Sequence, residues 1–139
     1  MNLHLNGILL GELLELTAKH YQINTSLVEK DYWVTYLLKQ IYNTDLKGYT
    51  YFKGGTSLSK AYSLINRFSE DIDLNIQCET KPTESQRKHL KAAIVSSIEK
   101  FNFTLLNPDE IRSRCDFNKY IISYPTVFSA AYLKQQLIV

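Results

Sequence analysis

The sequence contains few of the residues that mark specialised protein classes. Its 139 residues include only two cysteines and three histidines. Cys78 and Cys115 are far apart and form no CxxC pair, and the histidines are scattered, which argues against a disulfide framework and against a zinc site. Reduced thiols are typical of proteins of the cytoplasm, and this is the location that we expect.

The chain also lacks a strong net charge and a long apolar run. Lysine and arginine exceed the acids by only +2, so a contact with nucleic acid would need a local basic cluster. The N-terminal MNLHLNGILLGELLEL has no basic leading region, and Glu12 and Glu15 interrupt its apolar residues, which argues against a signal peptide and a membrane span. A hydrophobic fraction of 45% supports one core, and we expect a single domain over residues 1–139.

Helical periodicity is the main pattern of the first 42 residues. Apolar side chains at helical spacing predict an amphipathic helix that ends near His20. A second helix is predicted in NTSLVEKDYWVTYLLKQIYN, where Ser26 and Glu29 match a capping box. We therefore expect N-terminal helices over residues 8–42, ahead of a catalytic-type core over residues 49–139.

From residue 49 onwards, patterns of strand and helix alternate. A short β-prone run ends at a glycine pair, and a helix over residues 56–66 follows, with Leu58, Ala61, Tyr62 and Ile65 on the side expected to pack on a sheet. Pro82, Thr83 and Gln86 predict another capped helix, and further strands follow it. The order predicts an α/β (α+β) fold in which the N-terminal helices pack on a mixed β-sheet.

Two carboxylates lie close together in the predicted strand EDIDLNI. Alternation with a period of two places Asp71 and Asp73 on the face opposite Ile72 and Leu74. Such carboxylates are roughly 6–7 Å apart along a strand. They repel each other unless a cation neutralises them, and Mg²⁺ prefers carboxylate oxygens. The pair is either a metal site or the solvated outer face of an edge strand.

The glycine pair just upstream suggests a phosphate ligand. Gly54 and Gly55 allow backbone N–H groups to approach a ligand closely, and a helix that begins at Thr56 would direct its positive end to the same point. Thr56, Ser57 and Lys60 could contact a triphosphate there. Alternatively, the glycines only serve the backbone of a strand-to-helix turn. The spacing matches neither GxxxxGK[ST] nor GxGxxG. Combined with the acids, the turn predicts Mg²⁺-dependent nucleotidyl transfer from an NTP.

A family resemblance supports this interpretation. The stretch FKGGTSLSKAYSLINRFSEDIDL, preceded by VEKDYWVTYLLK, resembles the AbiEii/AbiGii family of nucleotidyltransferase toxins, within the DNA-polymerase-β-like nucleotidyltransferase superfamily. The resemblance is close over residues 28–38 and 52–74. It implies a nucleotidyltransferase fold and the toxin role in a bacterial toxin–antitoxin or phage-defence pair, with a cognate antitoxin as partner. It also implies transfer from an NTP to an acceptor such as tRNA or another RNA.

The resemblance also assigns roles to residues. It implies that Asp71 and Asp73 are the catalytic Mg²⁺ ligands and that the nucleotide phosphates lie at the glycine turn with Ser57. Lys60 and Arg67 match the family and could neutralise phosphate charge, although Arg67 could equally pair with Glu70. Lys30 and Asp31 of EKDYW also match it, and we interpret them as part of a structural ion-pair network.

The chain departs from the family pattern at its end. The superfamily takes a third carboxylate from a later strand, and YLKQQLIV resembles that strand, but it reaches Val139 without an acid. We therefore expect a truncated product or fragment that binds Mg²⁺–NTP weakly and catalyses transfer poorly. A possible homo-oligomer would use Tyr120, Tyr124, Phe128 and Tyr132, unless these are ordinary core residues. The alternative functions are a module that binds nucleotide or antitoxin without turnover and an antibiotic-modifying nucleotidyltransferase.

Overall fold

The protein folds as helices packed around small antiparallel sheets. The computed structural model describes residues 2–44, 49–64, 71–101, 103–112, 117–128 and 136–139. The α-helices within these ranges are α1 (Gly7–Tyr21), α2 (Thr25–Tyr42), α3 (Gly54–Lys60) and α4 (Glu84–Lys100). The strands are β1 (Thr50–Lys53), β2 (Asp73–Ile76), β3 (Thr104–Leu105), β4 (Ile121–Ser123) and β5 (Gln136–Ile138). Short 3₁₀ helices lie at Leu3–Leu5 and Pro108–Glu110. The predicted α/β class is confirmed.

The strands form two sheets that meet beside the carboxylate pair. β1 pairs with β2 in antiparallel register, with Lys53 opposite Asp73. β3, β4 and β5 form a second antiparallel sheet in that order. A parallel bridge joins Asp71 to Ile138, and the amide of Ile72 donates a hydrogen bond to the Ile138 carbonyl at 2.8 Å. The end of β5 therefore lies directly beside the chain that carries both acids.

Two hydrophobic clusters hold these elements together. The larger one joins α2, α4 and both sheets through buried side chains that include Trp33, Leu37, Ile72, Ile94, Ile98, Ile122 and Leu137. The smaller one joins α1 to α2 through Leu10, Leu14, Ala18 and Val28. Burial of each large apolar side chain contributes about 1.5–3 kcal/mol. No helix in the described part of the chain is both long and apolar enough to cross a membrane.

The two predicted helix caps have different outcomes. In α4, Thr83 and Gln86 form the predicted capping box, with each side chain accepting from the backbone of the other residue. In α2, the predicted box of Ser26 and Glu29 is wrong. Asn24 caps that helix, since its side chain accepts from the Ser26 amide at 2.8 Å. Glu29 is only 2% exposed, and its carboxylate accepts instead from Thr126 and Val127.

The predicted core face of the third helix is also wrong. α3 ends at Lys60, and Leu58, Ala61 and Tyr62 are exposed. Its buried side chains are Thr56 and Ser57, since the helix turns a polar side towards the strands. The fourth residue of that predicted face, Ile65, lies outside the described residues.

The aromatic face proposed for self-association is mostly interior. Tyr120 and Tyr124 are buried at 4% and 5% exposure, and Phe128 is partly buried against the smaller cluster. These residues are therefore core residues, which was the alternative interpretation, while Tyr132 lies outside the described residues. Burial raises the pKa of both Tyr120 and Tyr124 to about 12.

His4 packs into an aromatic group on α2, and this makes a pH dependence predictable. The backbone amide of His4 donates to the Tyr32 hydroxyl at 3.1 Å, and Nδ1 of the His4 ring lies 2.8 Å from the same hydroxyl oxygen. The ring also contacts Trp33 and Tyr36. Burial lowers the pKa of His4 below its ordinary value of 6.5. The unfolded chain therefore takes up a proton at a higher pH than the folded protein does.

We expect the stability contributed by this pKa difference to be complete above pH 6.5 and to be lost as the pH falls from 6.5 through the folded pKa. Urea denaturation across this range should show a smaller pH dependence for His4→Gln than for the wild type. His20→Gln, at an exposed position of α1, serves as the control and should keep the wild-type slope. Equal slopes for His4→Gln and the wild type would contradict the assignment.

Candidate active site

Asp71 and Asp73 project from one face of the strand, as the alternation predicted. Both are exposed, while Ile72 between them is 1% exposed and belongs to the main core. The buried isoleucine fixes which face each carboxylate occupies, because a shift of one residue would expose Ile72 and bury an acid. The two side chains therefore lie on the same open side of β2 and of the residues just before it.

A groove of about 560 Å³ adjoins this face. It runs between the β1–β2 pair, the chain that leads into α4, and the end of β5. Its lining combines the two acids with three cationic residues, Lys53, Lys81 and Arg87, and with aromatic side chains that include Tyr51. Pockets for small ligands commonly occupy about 300–1,000 Å³. The carboxylates therefore face a recess large enough for a nucleotide.

The glycine turn lies against one of the carboxylates. Gly54 has a φ of +74°, in the left-handed region where side chains are disfavoured. A Cβ atom at this position would overlap the Asp73 carboxylate, and its distance to Asp73 Cγ would be 2.9 Å. Gly54 therefore allows the Asp73 side chain to lie directly on the backbone of the turn. The structure therefore places Gly54 beside Asp73.

Thr56 and Ser57 are nearly inaccessible, with 2% and 4% exposure. The Thr56 hydroxyl donates to the backbone carbonyl of Asp71 at 2.6 Å. The Ser57 hydroxyl donates to the Gly54 carbonyl at 3.1 Å. In this conformation both hydroxyls bind the protein backbone, and Thr56 ties the glycine turn to the acidic strand.

Lys60 points to α2. Its ammonium lies 2.8 Å from Asp31 Oδ2 and donates to the Thr35 hydroxyl at 2.7 Å. Asp31 thus takes part in an ion pair, as interpreted, but its partner is 29 positions away and was not predictable from helical spacing. The remaining basic candidate, Arg67, and its possible partner Glu70 lie outside the described residues.

The carboxylate pair fits Mg²⁺ as part of a substrate complex. Within the described ranges, no group of three or more His, Cys, Asp or Glu side chains could hold a metal ion. Mg²⁺ is usually bound through only one or two carboxylates, with substrate phosphates and water as its other ligands. Asp71 and Asp73 meet that requirement, since both are exposed to the groove that would hold the phosphates.

The fold and the site together define an α/β protein of the nucleotidyltransferase type, with an acidic pair beside a glycine turn. The family described as "Nucleotidyl transferase AbiEii toxin, Type IV TA system" matches residues 36–139. The chain therefore belongs to the AbiEii family of nucleotidyl transferase toxins of type IV toxin–antitoxin systems. No curated protein and no solved structure matches the chain. The match includes the glycine turn and both acids, whereas Asp31 precedes it.

Proposed function

We propose that the protein is a Mg²⁺-dependent nucleotidyltransferase and the toxin of a toxin–antitoxin or phage-defence pair. It transfers a nucleotide from an NTP to an acceptor such as tRNA, and its biological partner is the cognate antitoxin. The observation that carries the proposal is the position of Asp71 and Asp73, side by side on a groove of nucleotide size with the glycine turn against Asp73. The family membership supports the same reaction class.

The reaction exchanges the phosphoanhydride bond between the α- and β-phosphates of the NTP for a phosphate ester bond to the acceptor. The acceptor hydroxyl loses its proton to water and its oxygen forms a bond to the α-phosphorus. The bond from this phosphorus to the bridging oxygen breaks, and pyrophosphate leaves with those electrons. Asp71 and Asp73 would hold the metal, which when bound neutralises phosphate charge and favours ionisation of the attacking hydroxyl. Thr56 and Gly54 position the two acids: the Thr56 hydroxyl binds the backbone carbonyl of Asp71, and Gly54 leaves the space that the Asp73 side chain occupies.

The glycine turn and the residues after it complete the nucleotide site in this proposal. Gly54 and Gly55 offer the closest backbone approach to the phosphates. Thr56 and Ser57 shape that turn through their hydrogen bonds to Asp71 and Gly54. The helix α3 has only seven residues, so its dipole adds little, and the carboxylates carry the argument.

A second candidate function is nucleotide or antitoxin binding without turnover. The observation in its favour is that the described residues lining the groove include only two carboxylates, Asp71 and Asp73. The other described acids of the C-terminal part, Asp109 and Glu110, lie in the 3₁₀ helix, where Glu110 accepts from Asn107 at 3.0 Å. Binding of Mg²⁺–NTP without transfer would identify this function.

The test is a transfer assay with the purified protein. Each α-labelled NTP is incubated with Mg²⁺ and total bacterial RNA, with and without a chelator, and Asp71→Ala is run beside the wild type. We expect labelled RNA only with the wild type and only with Mg²⁺. Label that persists in Asp71→Ala would come from a contaminant or would show that the site is elsewhere. Transfer to neither RNA nor protein, with Mg²⁺–NTP binding intact, would favour the second candidate.

A further inference from the structure

We propose that the groove face of β1 sets the direction of the bound nucleotide, with Lys53 at the phosphates and Tyr51 at the base. The inference rests on the proposed function, since it assumes that the groove binds a nucleoside triphosphate. Both residues alternate with partly buried neighbours along β1, and both line the groove. They are separated by two residues of strand rise, roughly 7 Å.

Lys53 lies at the end of the groove where the phosphates must be. It is directly opposite Asp73 in the β1–β2 register and immediately precedes the glycine turn. The carboxylates that would bind the metal share this end, and metal-bound phosphates are therefore placed beside Lys53. An ammonium is a compact charge well suited to phosphate oxygens. Lys60, which sequence spacing suggested for this role, instead has its ammonium at Asp31 and Thr35.

Tyr51 lies two residues further from the turn and is 46% exposed. It faces Asn75 across the strand pair, and the Asn75 amide donates to the Tyr51 hydroxyl oxygen at 3.0 Å. This bond restrains the ring while leaving its exposed surface in the groove. An aromatic ring of this kind stacks on any base and is tolerant of base identity. The nucleoside end of an NTP with its phosphates at Lys53 would reach this ring.

The opposite direction is a distinct arrangement that can be tested. Lys81 and Arg87 also line the groove, and they follow β2, which ends at Ile76 opposite Thr50, the end of the strand pair away from the glycine turn. Phosphates bound there would not have the direct cross-strand neighbour of Asp73, which is Lys53. The position of the acids therefore favours phosphates at Lys53.

The experiment uses two probes in the presence of Mg²⁺, each NTP and inorganic triphosphate, with affinities measured by titration calorimetry. Lys53→Gln is expected to weaken both probes about tenfold, since it removes one charge-assisted contact to phosphate. Tyr51→Leu is expected to weaken the NTP about tenfold and to leave inorganic triphosphate unchanged, because only the NTP has a base to stack. Tyr51→Phe keeps the ring and should bind NTP nearly as the wild type does.

The matched control is Lys88→Gln, at an exposed α4 lysine that pairs with Glu84 at 3.0 Å, and it should bind both probes normally. A wild type that binds no Mg²⁺–NTP would refute the proposed function itself. A wild type that binds while Lys53→Gln is unaffected would overturn only the orientation. The reverse direction would be indicated if Lys81→Gln, and not Lys53→Gln, weakened inorganic triphosphate. Circular dichroism of each variant confirms that the fold is retained.

Discussion

Alanine at position 54 is expected to slow nucleotide transfer on the order of 10³-fold and to lower the free energy of unfolding by about 2 kcal/mol. The stability loss arises because a side chain at a φ of +74° costs about 1–2 kcal/mol and because the added Cβ overlaps the Asp73 carboxylate. The activity loss follows from the displacement of Asp73, since a metal-bound phosphate site contributes several kcal/mol to transfer.

A double-mutant cycle separates the two causes. In an Asp73→Ala background the carboxylate is gone, and the nearest remaining Asp73 atom, Cβ, would be 3.3 Å from the new methyl. The stability cost of Gly54→Ala should then fall to the backbone part alone. Gly11→Ala, within α1, is the control, since the new Cβ would be 4.0 Å from the Phe128 ring, an ordinary contact distance. Alanine at this helical position should raise the free energy of unfolding by about 0.5–1 kcal/mol. A Gly54→Ala variant with wild-type stability and activity would exclude this role for the turn.

The parts of the site that follow from local pattern could be predicted from the sequence. Alternation in EDIDLNI determines that Asp71 and Asp73 share a face, because Ile72 has to enter the core. The glycine turn is next to this strand because β1 and β2 form an antiparallel pair. The reason why position 54 requires glycine was only partly predictable. Its positive φ fits a turn glycine, but the contact with the Asp73 carboxylate depends on the register of the pair.

The parts that depend on distant residues could not be predicted. Lys60 has the spacing of a phosphate ligand, yet its ammonium forms an ion pair with Asp31, 29 positions away. The predicted capping box at Ser26 and Glu29 fails for a similar reason. Ser26 and Glu29 have the spacing of a capping box, but the Asn24 side chain caps the helix. The Glu29 carboxylate instead accepts hydrogen bonds from residues almost 100 positions further along the chain. Helical periodicity also gave α3 a core face, because apolar spacing alone does not show which side meets the sheet.

Glu29 carries the second large effect that we expect, which is on stability. Its carboxylate is 2% exposed and accepts from the Thr126 hydroxyl at 2.7 Å and from the Val127 amide at 2.8 Å. These bonds hold the segment over residues 126–128 against α2, and Val127 and Phe128 in turn lie near glycines of α1. The negative charge is also felt by Tyr124, whose pKa rises to about 12 mainly through burial and secondarily through Glu29.

Replacement of Glu29 by alanine is expected to lower the free energy of unfolding by about 3 kcal/mol, since it leaves a cavity at a buried position of α2 and removes the acceptor of the Val127 amide and of the Thr126 hydroxyl. Thr126→Val removes one of the two hydrogen bonds to Glu29, together with the contacts of the hydroxyl with the Phe128 backbone, and should cost about 1.5 kcal/mol. Urea denaturation monitored by circular dichroism measures both values. Glu12→Ala, at an exposed position of α1, is the matched control and should stay within about 0.5 kcal/mol of the wild type. If Glu29→Ala were as stable as that control, the carboxylate could not be what fixes this segment to α2, and apolar packing of Val127 and Phe128 would have to do so alone.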